Sequence, residues 1–201
     1  NACFLLNNQV LKVRVLLKME GNGLMKKFSL GPSVVYEKGS IEYLRDINIK
    51  SALIVTDKDM IKFGICKKVT NILEEKGIHY KIFSEIKSNP SSDLVIGGVD
   101  FMLNFKPDSV IAIGGGSAID TAKAIILFYM NTINKSNVEN IKKPYFIAIP
   151  TTSGTGSEVT SYSVITDIDT HEKMALNEDI MLADLAIVDP DFTRSVPPKV
   201  T

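Results

Sequence analysis

The chain has 201 residues, enough for one domain with a real hydrophobic core and short for two. Its 23 Lys+Arg balance 23 Asp+Glu, and a formal net charge of zero argues against nucleic acid or a membrane surface as a partner. No apolar run approaches membrane-spanning length, and the two cysteines, Cys3 and Cys66, lack the spacing of a zinc site or a disulfide framework. They read as free thiols, so a reducing compartment, the cytoplasm, is expected.

Asn1-Ala2 resembles a tag remnant. Residues 3–24 alternate apolar and basic side chains and end at Gly21-Asn22-Gly23. They read as a loosely attached leader that need not be ordered, with a targeting or docking segment as the alternative. Met25-Lys26-Lys27-Phe28-Ser29-Leu30 reads as a natural start, so the domain proper is expected over residues 25–201.

From residue 51 strands and helices alternate. Residues 52–56 form a short β-branched run that predicts a buried strand. Ile65, Val69, Ile72 and Leu73 recur at helical spacing and Gly77 marks the stop, which predicts a helix over 65–76. Further strands are predicted over 79–83, 109–113 and 145–149, with helices over 91–105 and 117–130. After Pro150 a β-hairpin is predicted from 158–167 and 172–175, then a strand over 185–188. The alternation predicts an α/β fold with a parallel sheet, helices on both faces, and a hairpin appended.

Chemistry concentrates where strands end. Gly114-Gly115-Gly116-Ser117 follows a strand and opens a helix. A helix start offers free N–H groups and a partial positive charge to a phosphate, and glycine lets the backbone come close. Ser117 can cap the helix and donate to a phosphate oxygen. A GxGxxG fingerprint is absent, and a tight turn without a ligand is the alternative. Asp120, one helical turn on, either orients this loop and its ligand or is an ordinary first-turn acid. Asp57 follows the first buried strand, where a carboxylate accepts ribose hydroxyls and repels a 2′-phosphate, or else caps a helix. Pro150-Thr-Thr-Ser-Gly-Thr-Gly-Ser-Glu158 is dense in hydroxyls and glycines and suits a dinucleotide wall. Lys173 follows the hairpin turn and either meets a phosphate or ribose or is solvated. His79 and His171 are too isolated for a metal, and Cys66 on a helix reads as packing.

In order, Ile113-Gly-Gly-Gly-Ser-Ala-Ile-Asp120, Ile149-Pro-Thr-Thr-Ser-Gly-Thr-Gly-Ser-Glu158, Val164-Ile-Thr-Asp167 with Lys173, Leu185-Ala-Ile-Val-Asp-Pro190 and Ser195-Val-Pro-Pro198 closely resemble the iron-containing (group III) alcohol dehydrogenases. Within that family the likeness points to the propanol- and ethanol-type enzymes of diol and ethanolamine breakdown, hence to a bacterial microcompartment. The resemblance implies a dehydroquinate synthase-like N-terminal domain that binds NAD. It assigns Asp57 to the adenosine ribose, Asn89 to a cofactor contact, and Gly115, Gly116 and Ser117 to the pyrophosphate. Thr151 and Thr152 would line the adenosine side, and Thr160 and Lys173 the nicotinamide ribose. It also implies reversible hydride transfer between a primary alcohol and its aldehyde, in a homo-oligomeric parent enzyme. The metal, Fe2+ or Zn2+, would be held by an acid and histidines that this sequence stops short of, so a cofactor domain without a helical metal-binding domain is expected, with no catalytic residue or metal ligand of its own. An NAD-using sugar-phosphate enzyme of the same fold and a non-catalytic docking module are the alternatives, and an ATP-dependent kinase fits less well because the glycine loop lacks carboxylates for Mg2+.

Overall fold

The computed structural model describes residues 2–6, 9–13, 31–87, 89–135 and 142–194. The chain falls into two units, Asn1–Gly31 and Pro32–Thr201. In the first, strand β1 (Ala2–Leu6) pairs antiparallel with β2 (Gln9–Val13), in register from Ala2↔Val13 to Leu6↔Gln9. The alternating leader thus carries a hairpin over part of its length. The Gly21-Asn22-Gly23 stretch, the Met25 start, Ser88 and the Val196-Pro197-Pro198 run lie outside the described residues.

The second unit follows the alternation read from the sequence. In chain order it contains β3 (Ser33–Tyr36), a 3-10 turn (Ser40–Asp46), β4 (Ser51–Thr56), α1 (Lys58–Lys62), α2 (Ile65–Glu75) and β5 (His79–Phe83). Then come α3 (Ser92–Phe105), β6 (Ser109–Gly114), α4 (Gly116–Lys135) and β7 (Tyr145–Pro150). A 3-10 turn (Ser157–Val159) leads into β8 (Tyr162–Thr166) and β9 (Lys173–Asn177), an antiparallel hairpin, and a turn (Asp179–Met181), β10 (Leu185–Val188) and α5 (Pro190–Thr193) follow. Six strands form one parallel sheet in the order β3-β10-β7-β6-β4-β5.

The central strands are apolar at nearly every position because both faces are covered. Leu53, Val55, Val110, Ala112, Phe146 and Ala148 pack on one face against α3 and α4. Ala52, Ile54, Ile111, Ile113, Ile147 and Ile149 pack on the other against α2, Leu44 and Phe192. Each fully buried Ile or Leu contributes on the order of 1.5–3 kcal/mol to the fold.

The hairpin differs from expectation. Its first strand begins at Tyr162, not at 158, because Gly156 adopts a left-handed conformation (φ 61) and turns residues 157–159 into a 3-10 helix. Its second strand runs over Lys173–Asn177 rather than 172–175. Helix α4 starts at Gly116 and reaches Lys135, five residues beyond the predicted end at 130.

Strand order creates a crevice. From β4 the chain passes by α2 out to β5, then returns by α3 to β6 on the other side of β4. The order reverses between β4 and β6, and α2 and α4 cover opposite faces of the sheet. The chain therefore leaves the carboxyl ends of these two neighbouring strands in opposite directions, and the gap between them is where such sheets bind ligands.

Candidate functional site

Two loops border the crevice, one after β4 and one after β6, and the loop after β7 joins them. Gly114 closes β6 with φ +150, a conformation that disfavours any side chain, and a Cβ there would lie 2.7 Å from the Ala118 Cβ. The Thr151 N–H donates to the Gly114 carbonyl at 2.9 Å, which stitches the loop after β7 to the glycine turn. Ala118 and Ile119 turn their N–H groups back to the Gly115 carbonyl at 3.1 and 3.2 Å. Ser117 is therefore the second helical residue and not the cap. The helix starts earlier because the small residues at 115 and 116 let Thr152 and Thr155 close over its first turn, where a Cβ would meet Thr152 at 3.3 Å and Thr155 at 2.9 Å. The N–H groups of Gly116 and Ser117 fall in the stretch where no intrahelical acceptor exists, at the positive end of a 20-residue helix.

Asp57 performs the capping role weighed for it: its Oδ1 accepts from the Met60 N–H at 2.9 Å and starts α1. Its Oδ2 faces the glycine turn, 3.5 Å from where a Gly114 Cβ would stand. The cap and the border of the crevice are thus the same carboxylate.

Two cavities meet at the start of α4. The larger, about 860 Å³, is lined by Asp57, Asp59, Lys87, Gly115, Thr152 and Ser153 among others. The smaller, about 420 Å³, is lined by Asn89, Thr160, Tyr162, Val164 and Lys173 among others. Gly116, Ser117 and Thr155 line both. One end of the trough is thus carboxylate-bearing, the middle is a helix N-terminus, and the far end is a hydroxyl- and lysine-bearing wall. Asn89 reaches this wall with a positive φ of 57, held where the Thr166 N–H donates to the Pro90 carbonyl at 2.7 Å.

Two expected site residues sit differently. Thr151 is buried and lines neither cavity; its contribution is the backbone stitch to Gly114. Asp120 borders the smaller cavity, but both carboxylate oxygens are taken: Oδ1 accepts from the Ser157 hydroxyl and Oδ2 from the Val164 N–H at 3.1 Å. Lys123 was not anticipated. Its ammonium, buried inside α4, donates to Ser157 Oγ, Thr160 Oγ1 and the Tyr162 carbonyl at 3.0, 3.3 and 2.7 Å. The available sign was a lysine amid the apolar residues of α4, three residues after an aspartate. Lys87 and Tyr162 were missed as lining residues for want of any motif, and Val164, though it opens a family motif, was given no role.

Burial pushes the Cys66 thiol up to about 11, which fits packing and not nucleophilic chemistry. Among the described residues no three His, Cys, Asp or Glu side chains converge to hold a metal, so these residues do not fit a metal centre. Among them, too, no helix is long and apolar enough to cross a membrane.

Comparison with known proteins converges on the same region. The sequence pattern of the family described as "Iron-containing alcohol dehydrogenase" matches residues 32–190. The chain is 39% identical over 188 residues to NADPH-dependent butanol dehydrogenase of Clostridium saccharobutylicum, covering 88% of this chain and 48% of that protein. It is 39% identical over 177 residues to 1-propanol dehydrogenase PduQ of Citrobacter freundii, covering 88% and 46%. The chain spans about half the length of these curated relatives. Among solved structures, sulfoacetaldehyde reductase from Bifidobacterium kashiwanohense in complex with NAD+ superposes with a TM-score of 0.77 at 29% identity, covering 89% of this chain and 50% of that one. The matched span takes in the glycine turn, the hydroxyl loop and the crevice between β4 and β6, and the chain belongs to the iron-containing alcohol dehydrogenase family.

Proposed function

We propose that this chain binds NAD(H) in the trough and supplies the cofactor side of an alcohol dehydrogenase that interconverts a primary alcohol and its aldehyde. The observation that carries the reading is the pair of cavities meeting at the α4 N-terminus, Asp57 at one end and Lys173 at the other. A dinucleotide has this plan: two nucleosides either side of a pyrophosphate. The cradle fits, because its middle is a helix start where Gly116 carries no Cβ and the N–H groups of Gly116 and Ser117 have no intrahelical acceptor.

In this reading the backbone of Gly115 and Gly116 with Ser117 holds the pyrophosphate, and Asp57 accepts the adenosine ribose hydroxyls, with Thr152 beside it. Asn89, Thr160 and Lys173 border the nicotinamide end. When bound, the nicotinamide accepts or returns a hydride; the chain's own residues fix its position. The family's description supports iron as the metal, and the greater length of the relatives supports a further, helical C-terminal domain that would hold it, or zinc in its place. A homo-oligomer in a cytoplasmic setting belongs to the same proposal. The PduQ relative motivates the microcompartment.

Cofactor preference is the direct test, since one relative is named for NADPH and a solved neighbour carries NAD+. The Asp57 carboxylate would repel a 2′-phosphate, by about 1–2 kcal/mol or about tenfold in affinity. Calorimetric titration with NAD and NADP is expected to show that preference in the wild type and to lose it in Asp57→Ser, which keeps an oxygen for the Met60 N–H. Equal binding of both cofactors by the wild type would overturn the role of Asp57, and binding of neither would overturn the function.

A further inference from the structure

Lys123 is 0% exposed, yet every acceptor it reaches lies on the wall of the smaller cavity. Its donors go to Ser157 Oγ, Thr160 Oγ1 and the Tyr162 carbonyl. The Ser157 hydroxyl donates a hydrogen bond to Asp120 Oδ1, which lies 3.8 Å from the ammonium, and the Thr160 hydroxyl donates to the Ser157 carbonyl at 3.4 Å. Asp120 Oδ2 takes the Val164 N–H. Each donor has its acceptor, so the cluster has a single arrangement. It ties the third turn of the helix that begins at the glycine turn to the strand that faces the cavity.

Burying an ammonium is costly, and a methionine would fill the same volume at lower cost. What methionine cannot do is grip three oxygens of a separate segment. We propose that Lys123 is a positioning residue for the nicotinamide half of the cofactor: it holds Thr160 and the cavity face of β8 at a fixed offset from the α4 N-terminus without touching the ligand. The inference rests on the trough being a dinucleotide site.

The grip depends on charge, because a neutral amine keeps two N–H donors for three oxygens. Burial pulls Lys123 down to about 8, against Asp120 on its own helix and Glu158 on the turn Ser157–Val159. The loop and β8 present hydroxyls and a carbonyl to it, and the core that α4 otherwise packs into is apolar, with residues such as Val110 and Val99. The grip is therefore full well below about pH 8, half-charged near it and short of one donor above it.

ADP and NAD separate the two halves of the trough, because ADP lacks the nicotinamide nucleoside. Wild type and Lys123→Met, each checked for folding by circular dichroism, are titrated with both at pH 7. The expected result is an ADP affinity within about twofold and an NAD affinity about tenfold weaker in the variant. An unchanged NAD affinity, or equal losses for both ligands, would overturn the proposal. A second arm needs no variant: between pH 7.5 and 9.5 the wild-type ratio of NAD to ADP affinity falls, and a flat ratio overturns the proposal. Wild type that binds neither ligand would instead remove the dinucleotide reading itself, and the proposal with it.

Discussion

A methyl group at position 116 would press on the hydroxyl loop that closes the middle of the trough, since its Cβ would stand 2.9 Å from Thr155 Cγ2. Thr155 must shift to admit it, so Gly116→Ala is expected to fold with a lowered melting temperature, about 1–3 kcal/mol of crowding outweighing the better helix propensity of alanine. It is expected to bind NAD about tenfold more weakly by calorimetry, and unchanged affinity would place the phosphates elsewhere. Asp57, Gly115, Gly116, Ser117 and Thr152 were legible as border residues because each follows a buried strand, where a parallel sheet opens its crevice. Lys123 was not, because its three partners lie 34, 37 and 39 residues further along the chain. A tertiary network of that reach leaves only one local trace, a charge where an apolar residue belongs. Thr151 misled for the opposite reason: it shares its neighbours' chemistry, but its side chain is turned into the protein.

The helices that frame the trough are held by close packing, and α3 meets α4 at Gly98. A Cβ at Gly98 would stand 2.2 Å from Ile125 Cδ1 and 2.6 Å from its Cγ1. Gly98→Ala must drive Ile125 out of its rotamer or push α4 off the sheet, at about 1–3 kcal/mol. A lower urea midpoint is the expected reading, and an unchanged midpoint would show that α4 shifts freely. Elements that bury a full face were legible: β4, β6, β7 and β10 are apolar at nearly every position, and α2 and α3 carry apolar residues at helical spacing. Elements that bury little escaped. Strand β3 is a four-residue edge strand with no buried residue, and α1 has five residues, none buried, started by the Asp57 cap. The hairpin start was misplaced because Val159 and Thr160 look like strand residues, while Gly156 and the Lys123 cluster bend the chain there.

At the scale of the whole second unit, one sheet supplies the rigidity and its carboxyl edge supplies the site. The groups gathered along the trough are hydroxyls, backbone N–H groups, lysines and a few carboxylates, with no cluster suited to a cation among the described residues. NAD affinity of this chain is therefore expected to be the same with and without EDTA, by calorimetry; a loss of about tenfold would show that a cation helps to hold the dinucleotide.

The double engagement of Asp57, with one oxygen on the Met60 N–H and the other toward the glycine turn, constrains how such a protein diversifies. Losing the cap costs about 0.5–2 kcal/mol, so the residues open to this position are those that start helices: Asp, Asn, Ser, Thr and Gly. Of that short alphabet only aspartate repels a 2′-phosphate. A lineage can thus drift between nucleotides by a single conservative exchange that leaves the fold intact, and the other nucleotide stays within one mutational step.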